Sequence, residues 1–269
     1  MPQDQDQTGR HDRLTRLRAA MRAQGVDAFV VPSSDPHLSE YLPERWKGRE
    51  WLSGFTGSVG TFIATQVKAG VWTDARYWEQ AEAELAGSAT RLMKIASGAS
   101  LEWIDWLAAG LAPGATVAVD ARVLGLATMR ALSAALEARG IKLKVDADLL
   151  DGVWNDRPEL PAEPVSEHLE PFSHIARAAK LAAMREQMGK AGESHHFIST
   201  LDDIAWLFNL RGNDVSYNPV FLAHALISAE GATLFVAPGK VDDAVAARLR
   251  ADGVTLAPYE DAAAALAAL

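Results

Sequence analysis

The chain has no cysteine among its 269 residues, and this absence excludes disulfide bonds and thiolate metal sites. It also has no apolar run near the length of about 20 residues that a membrane-spanning helix requires. The first ten residues, MPQDQDQTGR, are polar and lack the apolar segment of a signal peptide. We therefore expect residues 1–12 to form a disordered tail, and we expect a cytoplasmic protein with no membrane partner.

Basic residues are few relative to acidic ones. The chain carries 26 Lys and Arg against 35 Asp and Glu, which gives a net charge of -9 and a pI of about 5.3. An acidic surface repels phosphate backbones, and no stretch concentrates Lys or Arg into a stripe, so nucleic acid is not an expected partner. Hydrophobic residues make up 49% of the chain, which is enough for a sizeable core.

The usual sequence patterns of metal and nucleophile sites are also absent. Seven histidines are present but no HExxH pattern, and His195 and His196 would point to opposite faces of a strand. Our interpretation is that His195 or His196 packs at a strand edge and that Asp202 caps the following helix. The glycine-rich stretch Gly54–Gly60 matches neither a dinucleotide nor a phosphate nor a GxSxG pattern, and is interpreted as a loop. A small hydrolase with its own active site is therefore the least supported hypothesis.

Apolar segments alternate between helical and extended patterns along the chain. Helical periodicity around Leu14–Met21 precedes the buried strand 27–31, and this alternation continues to a strand over 141–145. The pattern predicts an α/β fold with a parallel or mixed sheet. Prolines then accumulate between Asp156 and Pro171, which is typical of a stiff linker. We therefore predict a first domain over residues 13–155, a Pro-rich linker over 156–172 and a second domain over 173–269.

The two predicted domains resemble each other. The stretch WLSGFTG, from Trp51 to Gly57, has a counterpart in WLFNLRG, from Trp206 to Gly212, and LRAAMR at Leu17 has a counterpart in LAAMRE at Leu181. The second copy ends before counterparts of the last strands of the first. A sheet without its last strands has an open edge. We therefore expect the second domain to be incomplete and the chain to be a fragment of a longer protein.

The segment WTDARY, from Trp72 to Tyr77, is the strongest candidate for a site. The hydroxyl of Thr73 can cap the next helix, and Asp74 suits the positive end of the helix dipole. Arg76 lies in the same turn, where a cation is mildly unfavourable, so it is a candidate binder of an anion or a carbonyl group. The alternative is a surface arginine paired with Asp74 or Glu79.

A second unusual stretch runs from Trp206 to Pro219 and changes from apolar to polar. Arg211 and Asp214 could form an ion pair across this turn. The alternative is a structural loop held by Asn and Asp side chains that bond to the backbone, with Trp206 and Phe208 in the core.

Several segments, taken together and in order, resemble the three-domain Xaa-Pro aminopeptidases (aminopeptidase P), whose N-terminal domains are of the creatinase/prolidase type. The segments are PSSDPHLSEY at Pro32–Tyr41, SGFTGS at Ser53–Ser58, WTDARY at Trp72–Tyr77, WNDRP at Trp154–Pro158, and WLFNLRG with VSYNPV at Trp206–Val220. Ala75 stands where the family often has glycine, and this leaves the arginine intact.

The resemblance implies two related N-terminal α/β domains ahead of a C-terminal catalytic "pita-bread" domain. In the family, that domain holds two divalent metal ions, usually manganese, which activate a water for attack on the bond before a proline in second position. None of those ligands is present in this chain, so it is expected to be inactive alone. The resemblance assigns these domains to substrate access and homodimer formation, and it makes Arg76 a peptide-binding residue. The alternative is a standalone binding or scaffold module derived from that family.

Overall fold

The computed structural model describes residues 2–269, with side chains from Gly9 onward, and divides into two units. Unit 1 comprises residues 1–159 and unit 2 residues 160–269. Within the described residues, no helix combines the length and the apolar character needed to cross a membrane.

Unit 1 contains a six-stranded sheet with helices on both faces. Its strands lie in the order β4-β3-β2-β1-β5-β6, and β2 alone runs opposite to the other five. The elements are α1 (Pro2–Ala23), β1 (Ala28–Pro32), α2 (Gly48–Ser53), β2 (Thr61–Thr65), β3 (Ala69–Thr73), α3 (Trp78–Leu85), β4 (Arg91–Lys94), α4 (Glu102–Gly110), β5 (Thr116–Val119), α5 (Leu126–Glu137) and β6 (Lys142–Lys144).

The central strands of unit 1 are mostly apolar because both faces of the sheet are covered. Alternate side chains of β1 enter opposite cores: Phe29 packs with α1, α2 and α3, whereas Val30 packs with α4 and α5. This explains why the strands appear in the sequence as continuous apolar runs rather than as alternating patterns. The predicted α/β class with a mixed sheet flanked by helices is confirmed.

The first helix is longer than the sequence suggests. We expected a disordered tail over residues 1–12, but α1 begins at Pro2, and Met1 lies outside the described residues. Proline suits the first turn of a helix because its missing N–H would have no partner there. Arg10 on this extension donates from Nη1 to the carbonyl of Glu84 at 2.6 Å, which fastens the extra turns to the domain.

Unit 2 contains a four-stranded sheet in the order β12-β11-β10-β8 and a small ladder of β7 with β9. The elements are β7 (Ser166–Glu167), α6 (Arg177–Ala191), β8 (His195–Ile198), α7 (Leu201–Phe208), β9 (Leu210–Arg211), β10 (Ala223–Ser228), β11 (Ala232–Val236), α8 (Asp243–Ala251), β12 (Val254–Pro258) and α9 (Ala262–Ala267).

The two units are structural repeats, as the sequence predicts. Strands β8, β10, β11 and β12 repeat the order and the pairing directions of β1, β2, β3 and β4. The short helices α2 and α7 both end in a left-handed residue, Gly54 at φ 74° and Asn209 at φ 52°, which are the matching positions of the two WL stretches. In the described part of unit 2, β8 pairs with β10 alone, whereas β1 pairs with both β2 and β5.

Some local expectations for unit 2 are wrong. Helix α7 begins at Leu201 with Thr200 at the cap position, so Asp202 lies in the first turn and is not the cap. Phe208 is buried as expected, but Trp206 is 53% exposed. Arg211 donates to the carbonyls of Ala205 and Leu210 rather than to Asp214.

Candidate functional site

The segment after β3 forms a single turn of 3-10 helix over Ala75–Tyr77. Asp74 caps this turn, because its Oδ1 accepts a hydrogen bond from the backbone N–H of Arg76 at 3.1 Å. The predicted cap, Thr73, instead donates its hydroxyl to the carbonyl of Val59 at 2.7 Å. The cap is displaced by one residue because strand pairing continues through Thr73, and its hydroxyl bonds to Val59 instead of to the turn.

Arg76 folds back onto the aspartate that caps its own turn. Its Nε and Nη2 donate to the two carboxylate oxygens of Asp74 at 2.9 and 2.8 Å, so the guanidinium is held by two parallel bonds. This contact, followed by backbone bonds that include one from Gly98, holds the pKa of Asp74 below its usual value. The same carboxylate raises the pKa of Arg76, which stays charged.

In the Asp74–Arg76 ion pair, the guanidinium of Arg76 is exposed to solvent and the carboxylate of Asp74 is buried. The side chain of Asp74 is 6% exposed and that of Arg76 is 63% exposed. Two of the five guanidinium N–H groups point to Asp74, and the others remain available for an incoming carbonyl or carboxylate oxygen. The arginine is therefore oriented before any ligand arrives, which lowers the entropy cost of binding. Its partner is Asp74, and Glu79 is not involved in these bonds.

The glycine-rich loop packs beside this turn. The hydroxyl of Tyr77 lies 2.6 Å from Oγ of Ser58, and the Tyr77 ring contacts the edge of Phe55 at a centroid distance of 6.0 Å. The Arg76 guanidinium lies 5.3 Å from the centroid of the same tyrosine ring. The loop 54–60 therefore has a structural role as a support for the turn.

A second copy of the turn follows β5, and sequence reasoning missed it. Asp120 caps a 3-10 turn over Ala121–Val123, and Arg122 returns to it with Nε and Nη2 at 2.9 and 2.7 Å. The signal was available, since the tripeptide Asp-Ala-Arg occurs after both strands. The surroundings differ, however, because Arg122 also bonds to Asp148 at 3.2 Å and stacks over Trp46. This second arginine is part of a local network that packs the end of unit 1.

Between the two Asp-Ala-Arg turns the sheet edge opens into a cleft, which we name the β1 cleft. It has a volume of about 370 Å³ and lies at the carboxyl ends of β1 and β5 and the amino end of β2. Its lining residues are Pro32, Ser33, Ser34, Leu38, Val59, Gly60, Thr61, Trp72, Ile95, Gly98, Ala99, Ser100, Leu101, Trp103, Val123, Leu124, Gly125 and Thr128.

One wall of the β1 cleft belongs to the loop after β1, and a buried carboxylate organises that loop. Asp35 is fully buried, and its Oδ1 accepts the backbone N–H groups of His37 and Ser39, both at 2.9 Å. Between these two residues Leu38 adopts φ 54°, a conformation that a leucine rarely takes. Burial raises the pKa of Asp35, and the two amide bonds oppose that rise.

The raised pKa of Asp35 leads to a prediction about pH. Because its folded-state pKa is above the unfolded value, its contribution to stability is fully present at pH values below the unfolded pKa, about 3.9, and is lost as the pH rises through the folded pKa. Asp35→Asn abolishes this titration while keeping an acceptor for the two amides. We expect the stability of Asp35→Asn relative to the native chain to increase from pH 4 to pH 7, as measured by urea unfolding. An equal difference at both pH values would contradict this prediction.

The described residues of this chain contain no group of three or more His, Asp or Glu side chains placed to hold a metal ion. His195 and His196 are exposed on β8. The described residues therefore do not fit a dinuclear metal centre.

Comparison with known proteins identifies the family. A model described as the creatinase/prolidase N-terminal domain matches residues 13–150, and a second model of the same description matches residues 156–269. The chain belongs to the creatinase/prolidase N-terminal domain family. Within that family it is similar to probable Xaa-Pro aminopeptidases P of Neurospora crassa, at 39% identity over 93% of this chain, and of Pyricularia oryzae, at 38% identity over 93%.

The family relatives are much longer than this chain. It spans 37% of the Neurospora crassa protein and 41% of the Pyricularia oryzae protein, and it matches their N-terminal part. Among solved structures it is similar to an X-prolyl aminopeptidase from Caenorhabditis elegans, with a TM-score of 0.85 and 28% identity over 93% of this chain and 42% of that one. The Caenorhabditis elegans protein is described as a cytosolic enzyme with a di-nuclear active site.

Proposed function

We propose that this chain is the non-catalytic N-terminal part of an Xaa-Pro aminopeptidase, which as a whole removes the first residue from peptides with proline in second position. The observation that carries the proposal is the match at 39% identity along 93% of this chain to 37% of a much longer aminopeptidase. The family implies two divalent metal ions, taken to be manganese, in the remaining part of the protein. We further propose a cytoplasmic homodimer in which these two domains shape access to the active site.

The proposal of inactivity can be tested on the chain as it stands. Purified chain supplied with manganese should release no amino acid from a peptide with proline in second position, because its described residues bring no metal-ligand group together. Metal-dependent cleavage by this chain would overturn the proposal. The mass of the native protein in its source cells provides a second test. A product more than twice the 28.9 kDa of this chain supports an N-terminal part, and a product of 28.9 kDa supports a standalone binding module.

Arg76 is proposed to contact the peptide substrate in the complete enzyme. Its support is the geometry described above, in which Asp74 fixes the guanidinium while most of the side chain stays exposed. A hydrogen bond from a charged donor contributes about 1.5–3 kcal/mol. We therefore expect Arg76→Ala to lower kcat/KM by about ten- to a hundredfold, mainly through KM, since a binding contact acts on the ground state and transition state alike.

The matched control is Arg122→Ala, which removes an arginine from the other Asp-Ala-Arg turn. Kinetics close to those of the native enzyme are expected for it. Metal content, measured on both variants, should stay at the native level because neither arginine belongs to a metal-ligand group in the described residues. Native kinetics in Arg76→Ala would refute the proposed role, and equal losses in both variants would indicate a general effect on folding.

A further inference from the structure

The β1 cleft has a lining without formal charge. Its 18 lining residues include no Asp, Glu, Lys, Arg or His, although 23% of the whole chain is charged. A charged ligand enclosed by these residues would lose hydration without an opposite charge in the lining itself, which costs several kcal/mol. The lining therefore selects an uncharged ligand.

The lining combines apolar side chains with hydroxyl groups. Eight large apolar side chains come from Leu38, Val59, Trp72, Ile95, Leu101, Trp103, Val123 and Leu124. Five hydroxyls come from Ser33, Ser34, Thr61, Ser100 and Thr128. Ser33 already accepts from Nε of Arg49, and Ser100 already donates to Glu102, so these two hydroxyls keep only part of their bonding capacity. A hydroxyl such as that of Thr61 or Thr128 can donate and accept hydrogen bonds, so it can satisfy both the N–H and the C=O of a peptide group. A saccharide carries a hydroxyl on nearly every carbon, and the mostly apolar lining would leave many of these without partners.

The size and place of the β1 cleft also fit a ligand site. Its volume of about 370 Å³ is at the lower end of the range of about 300–1,000 Å³ found for ligand pockets. This is room for one aliphatic side chain with its flanking peptide groups. In the sheet, β1 lies between β2, which follows it in the chain, and β5, which comes later, so the strand order reverses at β1. In open α/β sheets, ligands bind at the carboxyl edge where the strand order reverses in this way.

The backbone at the mouth of the cleft is constrained. Leu38 lies there with φ 54°, a conformation that a leucine rarely adopts, and the residue is 58% exposed. The two amide bonds to Asp35 impose this conformation on the loop. Held in this way, Leu38 presents an apolar side chain at the entrance, where a ligand side chain would cover it.

We propose that the β1 cleft is a non-catalytic binding site for an uncharged, extended peptide segment that carries an aliphatic side chain. Arg76 is not a lining residue, but the Asp74–Arg76 pair borders the cleft at Gly98, whose Cβ position lies 3.5 Å from Nη2 of Arg76. The proposal requires neither cleavage nor a metal ion, so it stands or falls independently of the function proposed above.

The experiment is a titration of the full 269-residue chain with three blocked dipeptides, followed by amide NMR. The probes are N-acetyl-leucyl-alanine amide and its glutamyl and lysyl counterparts, with maltose as the saccharide probe. We expect the leucyl peptide to bind at millimolar concentration and to shift the amides of the lining residues. We expect the two charged peptides and maltose to bind about tenfold more weakly or not at all.

Two matched substitutions on helix α5 locate the site. Thr128 lines the cleft, so Thr128→Phe fills part of it, whereas Ala127→Phe puts the same ring on the exposed side of the same turn. We expect Thr128→Phe to weaken binding of the leucyl peptide about tenfold or more, and Ala127→Phe to leave it unchanged. Amide spectra of each variant check that unit 1 stays folded.

If Thr128→Phe fails to fold, Ala99→Phe on the exposed loop at the rim is the substitute, since Ala99 also lines the cleft. Absence of any shift with the leucyl peptide would overturn the proposal. Equal binding of all three peptides would overturn the selection for an uncharged ligand. Preferential binding of maltose would assign the cleft to a saccharide instead.

Discussion

Replacing Lys240 by methionine is expected to destabilise unit 2 by about 3–5 kcal/mol, because it leaves a buried carboxylate without its cation. Lys240 is 1% exposed, and its ammonium donates to both carboxylate oxygens of Asp214 at 2.5 Å and to the carbonyl of Pro161 at 3.0 Å. The side chain of Asp214 is fully buried. Methionine keeps most of the volume of lysine, so the expected loss comes from the charge rather than from a cavity.

The double variant Lys240→Met with Asp214→Asn separates the cost of an unpaired buried charge from the other costs of replacing Lys240. Asp214→Asn retains an acceptor for the backbone N–H of Leu222, which Asp214 binds at 2.7 Å, but removes the charge. We therefore expect Lys240→Met with Asp214→Asn to recover more than half of the stability that Lys240→Met alone loses. The free energy of unfolding of unit 2 can be measured by hydrogen exchange of peptides from residues 160–269 during urea unfolding.

The control is an exposed ion pair of the same unit. Lys190 and Glu186 pair at 2.7 Å, with side chains 61% and 64% exposed, and Lys190→Met should cost no more than about 0.5 kcal/mol. A loss of less than about 1 kcal/mol for Lys240→Met would show that Asp214 is neutral or hydrated in the native state.

The Lys240 pair illustrates which parts of the fold could be predicted from the sequence. Strands such as β1 and β2 were predictable because buried apolar runs between glycine and proline signals are local features. The repeat was predictable because Trp51 and Trp206 begin similar stretches. The partner of Asp214 was not predictable, since Arg211 is near in sequence while Lys240 is 26 residues away. Tertiary packing selected the distant cation.

In the candidate site, too, local features could be predicted from the sequence and long-range contacts could not. The turn at Asp74–Arg76 was predicted as a helix start, because local capping chemistry is readable from the sequence. The β1 cleft was not predictable, since its lining comes from five separated segments that only the sheet brings together. Helix α2 was also missed, because its six residues are too few to show helical periodicity. Helix α2 matters to the fold because it carries Arg49. The burial of Arg49 could not be predicted from the neighbouring sequence.

Replacing Arg49 by methionine is expected to destabilise unit 1 by about 3–4 kcal/mol, because two buried carbonyls and one partly buried hydroxyl would lose their donor. Arg49 is 5% exposed, and it donates from Nε to Oγ of Ser33 at 2.6 Å, from Nη1 to the carbonyl of Phe55 at 2.7 Å, and from Nη2 to the carbonyl of Gly57. No carboxylate of a described residue forms an ion pair with it within 4.0 Å, and burial lowers its pKa to about 10. The charge therefore persists at neutral pH and is stabilised by carbonyl and hydroxyl dipoles.

The conservative variant tests the geometry of these three bonds. Lysine keeps the charge but ends in one ammonium group, which cannot reach three acceptors that a planar guanidinium spans. We expect Arg49→Lys to lose about half as much stability as Arg49→Met. Arg139→Met on the exposed surface is the control, with an expected change within about 0.5 kcal/mol.

The effect of Arg49→Lys should extend to the β1 cleft. Ser33 and Gly60 line the cleft, and the methylene stem of Arg49 lies under Gly60, where an added Cβ would be 3.5 Å from Cδ. Loss of the fixed guanidinium should therefore speed amide exchange from Phe55 to Thr61 and weaken binding of the leucyl peptide. The Asp74–Arg76 bonds do not involve Arg49, so the Arg76 turn should lose less protection than the loop 54–60 that packs against it. Unchanged exchange in the loop 54–60 would show that the backbone, rather than Arg49, fixes that wall of the cleft.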